Sequence, residues 1–257
     1  MEQPHRKTLY SQLGWDSLDT MSFWTIHSFA SLPSTQDHMR ELLQNGEVQH
    51  GLVIRAAEQR AGRGQRARDW HSPSGGSYQT VALRMAQTPP AITIAIALGI
   101  SEVLAEAKVD AQVKWVNDIY LEHKKLAGIL CEHVQGFLLV GVGLNVIRPE
   151  TEQAIGLPHW RLEQGHQAVL DGIRRGLDLS QAPEQLALRF ALRDFLAGRC
   201  LQVETPRGAY RGYGGGIDAQ GCLQLHYHGD VHSICQGRVL HWSAPASEAP
   251  EQIPRSD

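Results

Sequence analysis

The stretch AITIAIALGISEVLAEA, from Ala91 to Ala107, most narrows what this chain can fold into. Its apolar residues cover nearly every side of a helix, and only Ser101, Glu102 and Glu106 break the run. It is too short and too interrupted to span a bilayer, so it predicts a helix buried in a layered core. Pro89 and Pro90 open it, where a helix start has no use for the missing N–H, and it is expected to end near Lys108.

Strand-like runs flank this helix. FWTIHSFA (Phe23 to Ala30), GLVIRAAEQ (Gly51 to Gln59) and YQTVALRM precede it; QVKWV, DIYLE, KKLAGILCEHV and FLLVGVGLNV follow. Between the first two, PSTQDHMRELLQNG reads as a helix with Ser34 or Thr35 as N-cap, Asp37 in the first turn and Gly46 as C-cap. The result is one mixed α/β layer over roughly residues 22–148. From Arg148 to Pro183 there are few firm signals, and then APEQLALRFALRDFLAGR reads as a helix. Beyond it, CLQVETPRG, AYRGYGGGIDAQGCLQLHY and DVHSICQGRVLHW are short alternating runs broken by Gly and Asp, which predicts a small β-barrel of about 45 residues. The expected domains are therefore 22–199 and 200–243, between a loose polar N-terminus (1–21) and a disordered tail (244–257).

Composition excludes several classes. With 42% hydrophobic and 20% charged residues the chain reads as an ordinary globular protein. A net charge of −3 leaves no chain-wide basic footprint for nucleic acid, so any basic site must be local. The four cysteines (Cys131, Cys200, Cys222, Cys235) form no C-x-x-C pair and are expected to be reduced, partly buried thiols. His226, His228 and His232 lie near two of them, but the spacing matches no zinc pattern, and surface histidines are expected. The N-terminus lacks the apolar run of a signal peptide, so a cytoplasmic location is expected.

Three stretches could carry chemistry. EQRAGRGQRARDW (Glu58 to Trp70) follows a strand and holds Arg60, Arg63, Arg66 and Arg68 among glycines. Its GRGQRA resembles a dinucleotide fingerprint, but Pro73, Gly75 and Gly76 forbid the helix that fingerprint needs. No G-K-[ST] follows, so it is no Walker loop, and few aromatics stand near for a nucleic-acid patch. Clustered guanidinium groups repel unless solvated or paired with an anion, so this is an anion site or a solvated loop. In KWVNDIYLEHKKLAGILCE, Asn117 and Asp118 sit at a strand break. Lys125 shares a strand face with Ala127, Ile129 and Cys131, where an unpaired charge is costly, and Gly128 lets a ligand approach the backbone. In VGVGLNV, Gly141 and Gly143 expose backbone ahead of Asn145.

In this order, Ser34-Thr35-Gln36, Gln59 through Trp70, Lys114 to Asp118, Lys125 to Glu132 and Gly141 to Asn145 resemble the biotin protein ligases. That family reads S-T-N, Q-x-x-G-R-G-R-x-G-R-x-W, K-W-P-N-D, G-x-K-L-A-G-I-L-x-E and G-x-G-x-N. The resemblance implies an α+β fold: a mixed β-sheet flanked by helices, as in class II aminoacyl-tRNA synthetases, with a small C-terminal SH3-like barrel. It implies ATP-dependent activation of biotin to biotinyl-5′-AMP, then transfer to a lysine of the biotin carboxyl carrier protein of acetyl-CoA carboxylase. Biotin would meet Ser34, Thr35, Gln36, Gln59, Arg63, Gly64, Gln65, Lys125, Gly128 and Gly143. The nucleotide would meet Arg66, Arg68, Trp70, Asn117 and Asn145, with Asp118 toward Mg²⁺. Lys125, Arg63 and Arg66 would be catalytic, Lys125 bridging the biotin carboxylate and the α-phosphate. Members that also repress transcription carry a helix-turn-helix ahead of the ligase. With only about 21 residues before the first strand-like run, a monofunctional enzyme without DNA binding is expected, as monomer or homodimer. Lipoate ligases share the architecture but carry a different arginine–glycine motif. Three positions depart from the family: Gln36 for asparagine, Gln65 for the second arginine of G-R-G-R, and Val116 for proline.

Overall fold

The computed structural model describes residues 23–147, 149–227 and 229–245, so the expected loose N-terminus, His228 and most of the expected tail lie outside the described residues. Seven strands run β1 (Thr25–Leu32), β2 (Leu52–Gln59), β3 (Ser77–Arg84), β4 (Gln112–Lys114), β5 (Asp118–Leu121), β6 (Lys124–Val134) and β7 (Phe137–Leu144). Their order is β1-β2-β3-β7-β6-β5-β4. β1 and β2 are parallel, whereas β2–β3, β4–β5 and β5–β6 are antiparallel, a mixed sheet as expected.

By internal contacts the chain forms two compact units. The first comprises residues up to Ser74, Tyr78–Thr88 and Cys131–Gly141. Its first helix, α1 (Thr35–Gln44), starts where expected: the Ser34 hydroxyl accepts from the Asp37 N–H and caps the free helix start. The apolar stripe of α1, Met39 and Leu43, packs with Leu52, Ile54, Ala82, Phe137 and Leu139 as the core of this unit.

The second unit comprises Gly75–Ser77, Pro89–Leu130 and Val142 onward. The buried helix of the sequence is α2 (Ile92–Glu106), and it packs on α3 (Leu162–Ser180), which the sequence did not announce. Three glycines make that packing. A Cβ on Gly176 would lie 2.4 Å from the Ile96 Cα, one on Gly172 would lie 2.5 Å from the Ile100 Cα, and one on Gly99 would lie 2.3 Å from the Gly172 carbonyl oxygen. The backbones therefore touch directly, as only residues without side chains permit.

The last helix, α4 (Pro183–Ala191), is shorter than expected. The chain leaves it at Leu192, which is 84% exposed, and turns so that the Phe195 N–H donates to the Val113 carbonyl and the Val113 N–H to that of Arg193. Asp194 is buried in this turn, where its Oδ1 accepts from the Leu196 N–H at 2.8 Å. Five further strands follow: β8 (Arg199–Thr205), β9 (Gly208–Ile217), β10 (Leu223–Tyr227), β11 (Asp230–Ile234) and β12 (Arg238–Pro245). They pair in the order β11-β10-β9-β8-β12, an open antiparallel sheet rather than the closed barrel expected. The pairing of Leu223 with Ile234 sets Cys222 opposite Cys235, and these two form a disulfide. The expectation of four reduced thiols is thus corrected for this pair; Cys131 and Cys200 are not disulfide-bonded. No helix among the described residues is long and apolar enough to cross a membrane.

Two outcomes follow from the second unit. Gly176→Ala should lower stability by about 1–3 kcal/mol in urea titration, because the added methyl overpacks the α2–α3 contact; intrinsic helix propensity alone would give the opposite sign. Burial pushes the Asp194 carboxyl from 3.8 up to about 6, against the Leu196 N–H and Arg199, which lower it. The folded chain thus favours protonated Asp194, so its contribution is complete below pH ~4 and is lost as pH rises through about 6. Asp194→Asn should flatten that part of the stability–pH curve and leave the variant more stable than the parent at pH 7.

Candidate functional site

In the first unit, β2, β3 and the start of α1 bring together a set of polar side chains that the core has sealed from water. Ser34, Thr35, Gln36, Ser72 and Thr80 are all buried. Such groups must be hydrogen-bonded to each other, and they are. Gln59, at the end of β2, accepts at Oε1 from the Thr35 N–H (2.8 Å) and the Thr35 hydroxyl (3.1 Å). Its Nε2 donates to the Ser72 hydroxyl at 2.8 Å, and Ser72 donates onward to the Trp70 carbonyl. From β3 the Thr80 hydroxyl lies 2.9 Å from Thr35 Oγ1 and 3.1 Å from Gln36 Oε1. One relay thus runs from Thr80 through Thr35 and Gln59 to Ser72.

The glycine–arginine loop closes on itself. The Trp70 N–H donates to the Gly62 carbonyl and the Gly64 N–H to that of Arg68, while Arg63 and Asp69 form an antiparallel bridge. Gly62 has no room for a side chain: a Cβ there would lie 2.5 Å from the Trp70 carbonyl oxygen. Gln65–Ala67 form one 3₁₀ turn in which Arg66 takes a left-handed backbone, φ 57°. Arg66 and Arg68 are exposed, Gly64 and Gln65 half-buried. Arg63 reaches back to α1, where its guanidinium lies 2.7 Å from Asp37 Oδ1. Asp37 also holds Arg40 at 2.7 Å, Arg40 pairs with Glu132 on β6, and Glu132 accepts from Gln36 Nε2 at 2.7 Å. Sequence reasoning missed Arg40, Ser72 and Thr80: Arg40 meets Glu132 across 92 positions and Thr80 meets Thr35 across 45, while Ser72 meets Gln59 only through the fold of the loop between them.

In the second unit, β5 and β6 carry the other predicted residues. The Lys125 ammonium lies 2.7 Å from Asp118 Oδ1, both side chains largely shielded from solvent. Asp118 faces Gly128 in the β5–β6 register, so no side chain stands across from it. Asn117 Nδ2 donates to the Ile129 carbonyl at 2.9 Å, which pins the turn before β5. Asn145, just past β7, is buried; its N–H donates to the Leu126 carbonyl, and its Nδ2 lies 3.4 Å from the Lys125 carbonyl. Gly143 is half-exposed on β7. Lys114 is buried as well, its ammonium 4.7 Å from the Trp242 ring and 5.4 Å from that of Tyr120.

A hard cation such as Mg²⁺ takes oxygen ligands and keeps several waters. Among the described residues no group of three or more His, Cys, Asp or Glu side chains gathers, and the Asp118 carboxylate faces an ammonium. Asp118 could give Mg²⁺ one oxygen, which fits an ion that arrives on a polyphosphate and not one caged by protein. The first unit thus carries buried, mutually bonded polar side chains and arginines on a closed glycine loop, and the second a lysine paired with a carboxylate.

Thr35→Val would keep the shape of the side chain but cut the relay, leaving the Gln59 and Thr80 groups short of a partner. A loss of about 1–3 kcal/mol in denaturant titration is expected; unchanged stability would show that these bonds carry no load.

Residues 28–146 match the family described as the biotin/lipoate A/B protein ligase family. The chain is 31% identical over 241 residues to the bifunctional ligase/repressor BirA of Escherichia coli (strain K12), spanning 84% of this chain and 75% of that protein. It is 28% identical over 247 residues to the biotin--[acetyl-CoA-carboxylase] ligase of Mycobacterium tuberculosis, spanning 89% and 90%. The solved structure of the Aquifex aeolicus biotin protein ligase in complex with biotin and ATP superposes with a TM-score of 0.75 at 24% identity, covering 85% of this chain and 98% of that one. The last likeness is one of fold.

Proposed function

The chain belongs to the biotin protein ligase family, and on that premise we propose that it is an ATP-dependent biotin protein ligase acting on the biotin carboxyl carrier protein of acetyl-CoA carboxylase. The observation that carries the proposal is the Lys125–Asp118 pair, a shielded ammonium held 2.7 Å from a carboxylate on a strand pair left bare at Gly128.

The reaction joins two anions, and their repulsion is the barrier a site must lower. A biotin carboxylate oxygen attacks the α-phosphorus of ATP, the bond to the β-phosphate oxygen breaks, and pyrophosphate leaves. Lys125 is assigned to the charge developing between carboxylate and α-phosphate, exchanging Asp118 for substrate. Mg²⁺, where it arrives with ATP, neutralises polyphosphate charge, and Asp118 is then one oxygen available to it. Ser34, Thr35, Gln36 and Gln59 are assigned to the biotin ring, whose ureido group needs donors and acceptors fixed in place. Gly128 and Gly143 give close approach to backbone. Arg63, Gly64, Gln65 and Arg66 are assigned to the loop that covers the acyl adenylate from water, and Arg66, Arg68, Trp70, Asn117 and Asn145 to the nucleotide. In the second step the amine of a carrier lysine attacks the acyl carbon and AMP leaves.

We place the reaction in the cytoplasm, where ATP is supplied; there the Cys222–Cys235 bond depends on the local redox poise. A monofunctional ligase, monomeric or dimeric and independent of DNA, is the form proposed.

Incorporation of labelled biotin into a purified carrier protein tests the assignment. Wild type should label it in an ATP-dependent way, and Lys125→Ala should be slower by about 10²–10³, the scale of losing a charge that acts on the transition state. Equal rates would show Lys125 to be misassigned. Gln65 leaves the loop one charge short of its relatives, so Gln65→Arg should reduce release of free biotinyl-5′-AMP in the absence of carrier; equal release would dissociate Gln65 from retention.

A further inference from the structure

The ion pairs of the first unit form one continuous chain. Arg63 of the glycine–arginine loop and Arg40 of α1 both lie 2.7 Å from the same Asp37 oxygen. The second nitrogen of Arg40 meets Glu132 Oε1, and Glu132 Oε2 takes the Gln36 amide at 2.7 Å. The other end of that amide, Oε1, lies 3.1 Å from the Thr80 hydroxyl. The chain therefore leads from an exposed loop arginine to a buried amide in the polar set at the start of α1, with one charged or hydrogen-bonded contact at each link.

Each end has a physical consequence. Glu132 accepts only, so it fixes the Gln36 amide with nitrogen toward β6 and oxygen toward Thr80. Asp37 sits in the first turn of α1, where the helix end is the favourable place for an acidic anchor. The Arg63 tether is the weakest link, because both partners are about one-third to two-fifths exposed. A tether of that strength can hold a loop without locking it.

We propose that Asp37 is a positioning residue of this site: it latches the glycine–arginine loop through Arg63 and, through Arg40 and Glu132, couples the loop to the orientation of the Gln36 amide. The part of this that concerns biotin rests on the function proposed above; the latch itself does not. When the loop closes on an anion, Arg63 exchanges the Asp37 carboxylate for it, and the latch sets how readily that exchange occurs.

Trypsin cuts after arginine, so cleavage at Arg60, Arg66 and Arg68 in the ligand-free, full-length protein reports loop opening without any need for activity. Asp37→Asn should speed it about three- to fivefold, the scale of a half-exposed ion pair. Asp37→Glu should restore near wild-type cleavage, and 0.5 M salt should bring wild type toward the Asn variant. In an Arg63→Gln background, Asp37→Asn should have no further effect, since the partner it holds is gone. An equal effect in both backgrounds, or unchanged cleavage, overturns the latch. In the labelling assay the KM for biotin should change by a similar factor with kcat held, whereas a folding defect would lower kcat alone and overturn the coupling. If wild type labels no carrier at all, the proposed function fails while the cleavage experiment still judges the latch.

Discussion

A polar side chain sealed from water must find its hydrogen bonds inside the protein, and the start of α1 is built around that requirement. Ser34, Thr35 and Gln36 are consecutive and buried, where an apolar chain would place leucines. Leaving any of them unpaired would cost more than its bond is worth, so the neighbours must be chosen to match. Gln59 supplies one oxygen for both donors of Thr35, Thr80 supplies a hydroxyl from β3, and Glu132 supplies the acceptor for Gln36. The parallel pairing of β1 with β2 and the antiparallel pairing of β2 with β3 deliver Gln59 and Thr80 to the place where α1 begins. A constellation satisfied in this way is rigid before any ligand arrives, which is what binding a small polar ring demands.

The second unit solves the matching problem with charge. Lys125 stands on β6 among buried apolar residues, and its ammonium would be expensive there without a partner. Asp118 on β5 is that partner: a two-residue turn joins the strands, and the ammonium reaches along the ladder to a carboxylate that faces Gly128. A shielded ion pair of this kind adds little net stability, because desolvation offsets attraction. What the pair does is hold the lysine side chain in one place on the strand.

Much of this was legible in the residues, for identifiable reasons. The strands and α1 followed from alternation and from Ser34 before an amphipathic run, and Lys125 stood out as a charge beside an apolar face. Helix α3 was hidden because Arg161 precedes it instead of a Ser, Thr, Asp or Asn cap, and Gly165, Gly172 and Gly176 weaken its local preference. Gly172 and Gly176 are the packing surface for α2, and Gly165 meets Val146, so tertiary contact overrides propensity there. The run APEQLALRFALRDFLAGR reads as one helix, yet α4 ends at Ala191, Leu192 is exposed, and the chain turns to pair with Val113. The disulfide fell outside any cysteine motif because it is set by the β10–β11 register, where Cys222 and Cys235 flank the paired strands. The Asp37–Arg40–Glu132 chain joins residues more than ninety positions apart, which no local pattern encodes.

The departures from the family pattern gain a physical reading from the same contacts. Glutamine at position 36 carries one more methylene than asparagine, and in this structure its amide spans Thr80 on one strand and Glu132 on another. The longer side chain is thereby fixed at both ends of its amide. Gln65 lies in the 3₁₀ turn, where its backbone carbonyl, and not its side chain, accepts from the Arg68 N–H. The turn's own geometry therefore rests on the backbone at position 65, and what glutamine lacks there is the guanidinium's charge and donors. With Arg63 tethered to Asp37, the loop of this chain presents less positive charge than its arginine count suggests.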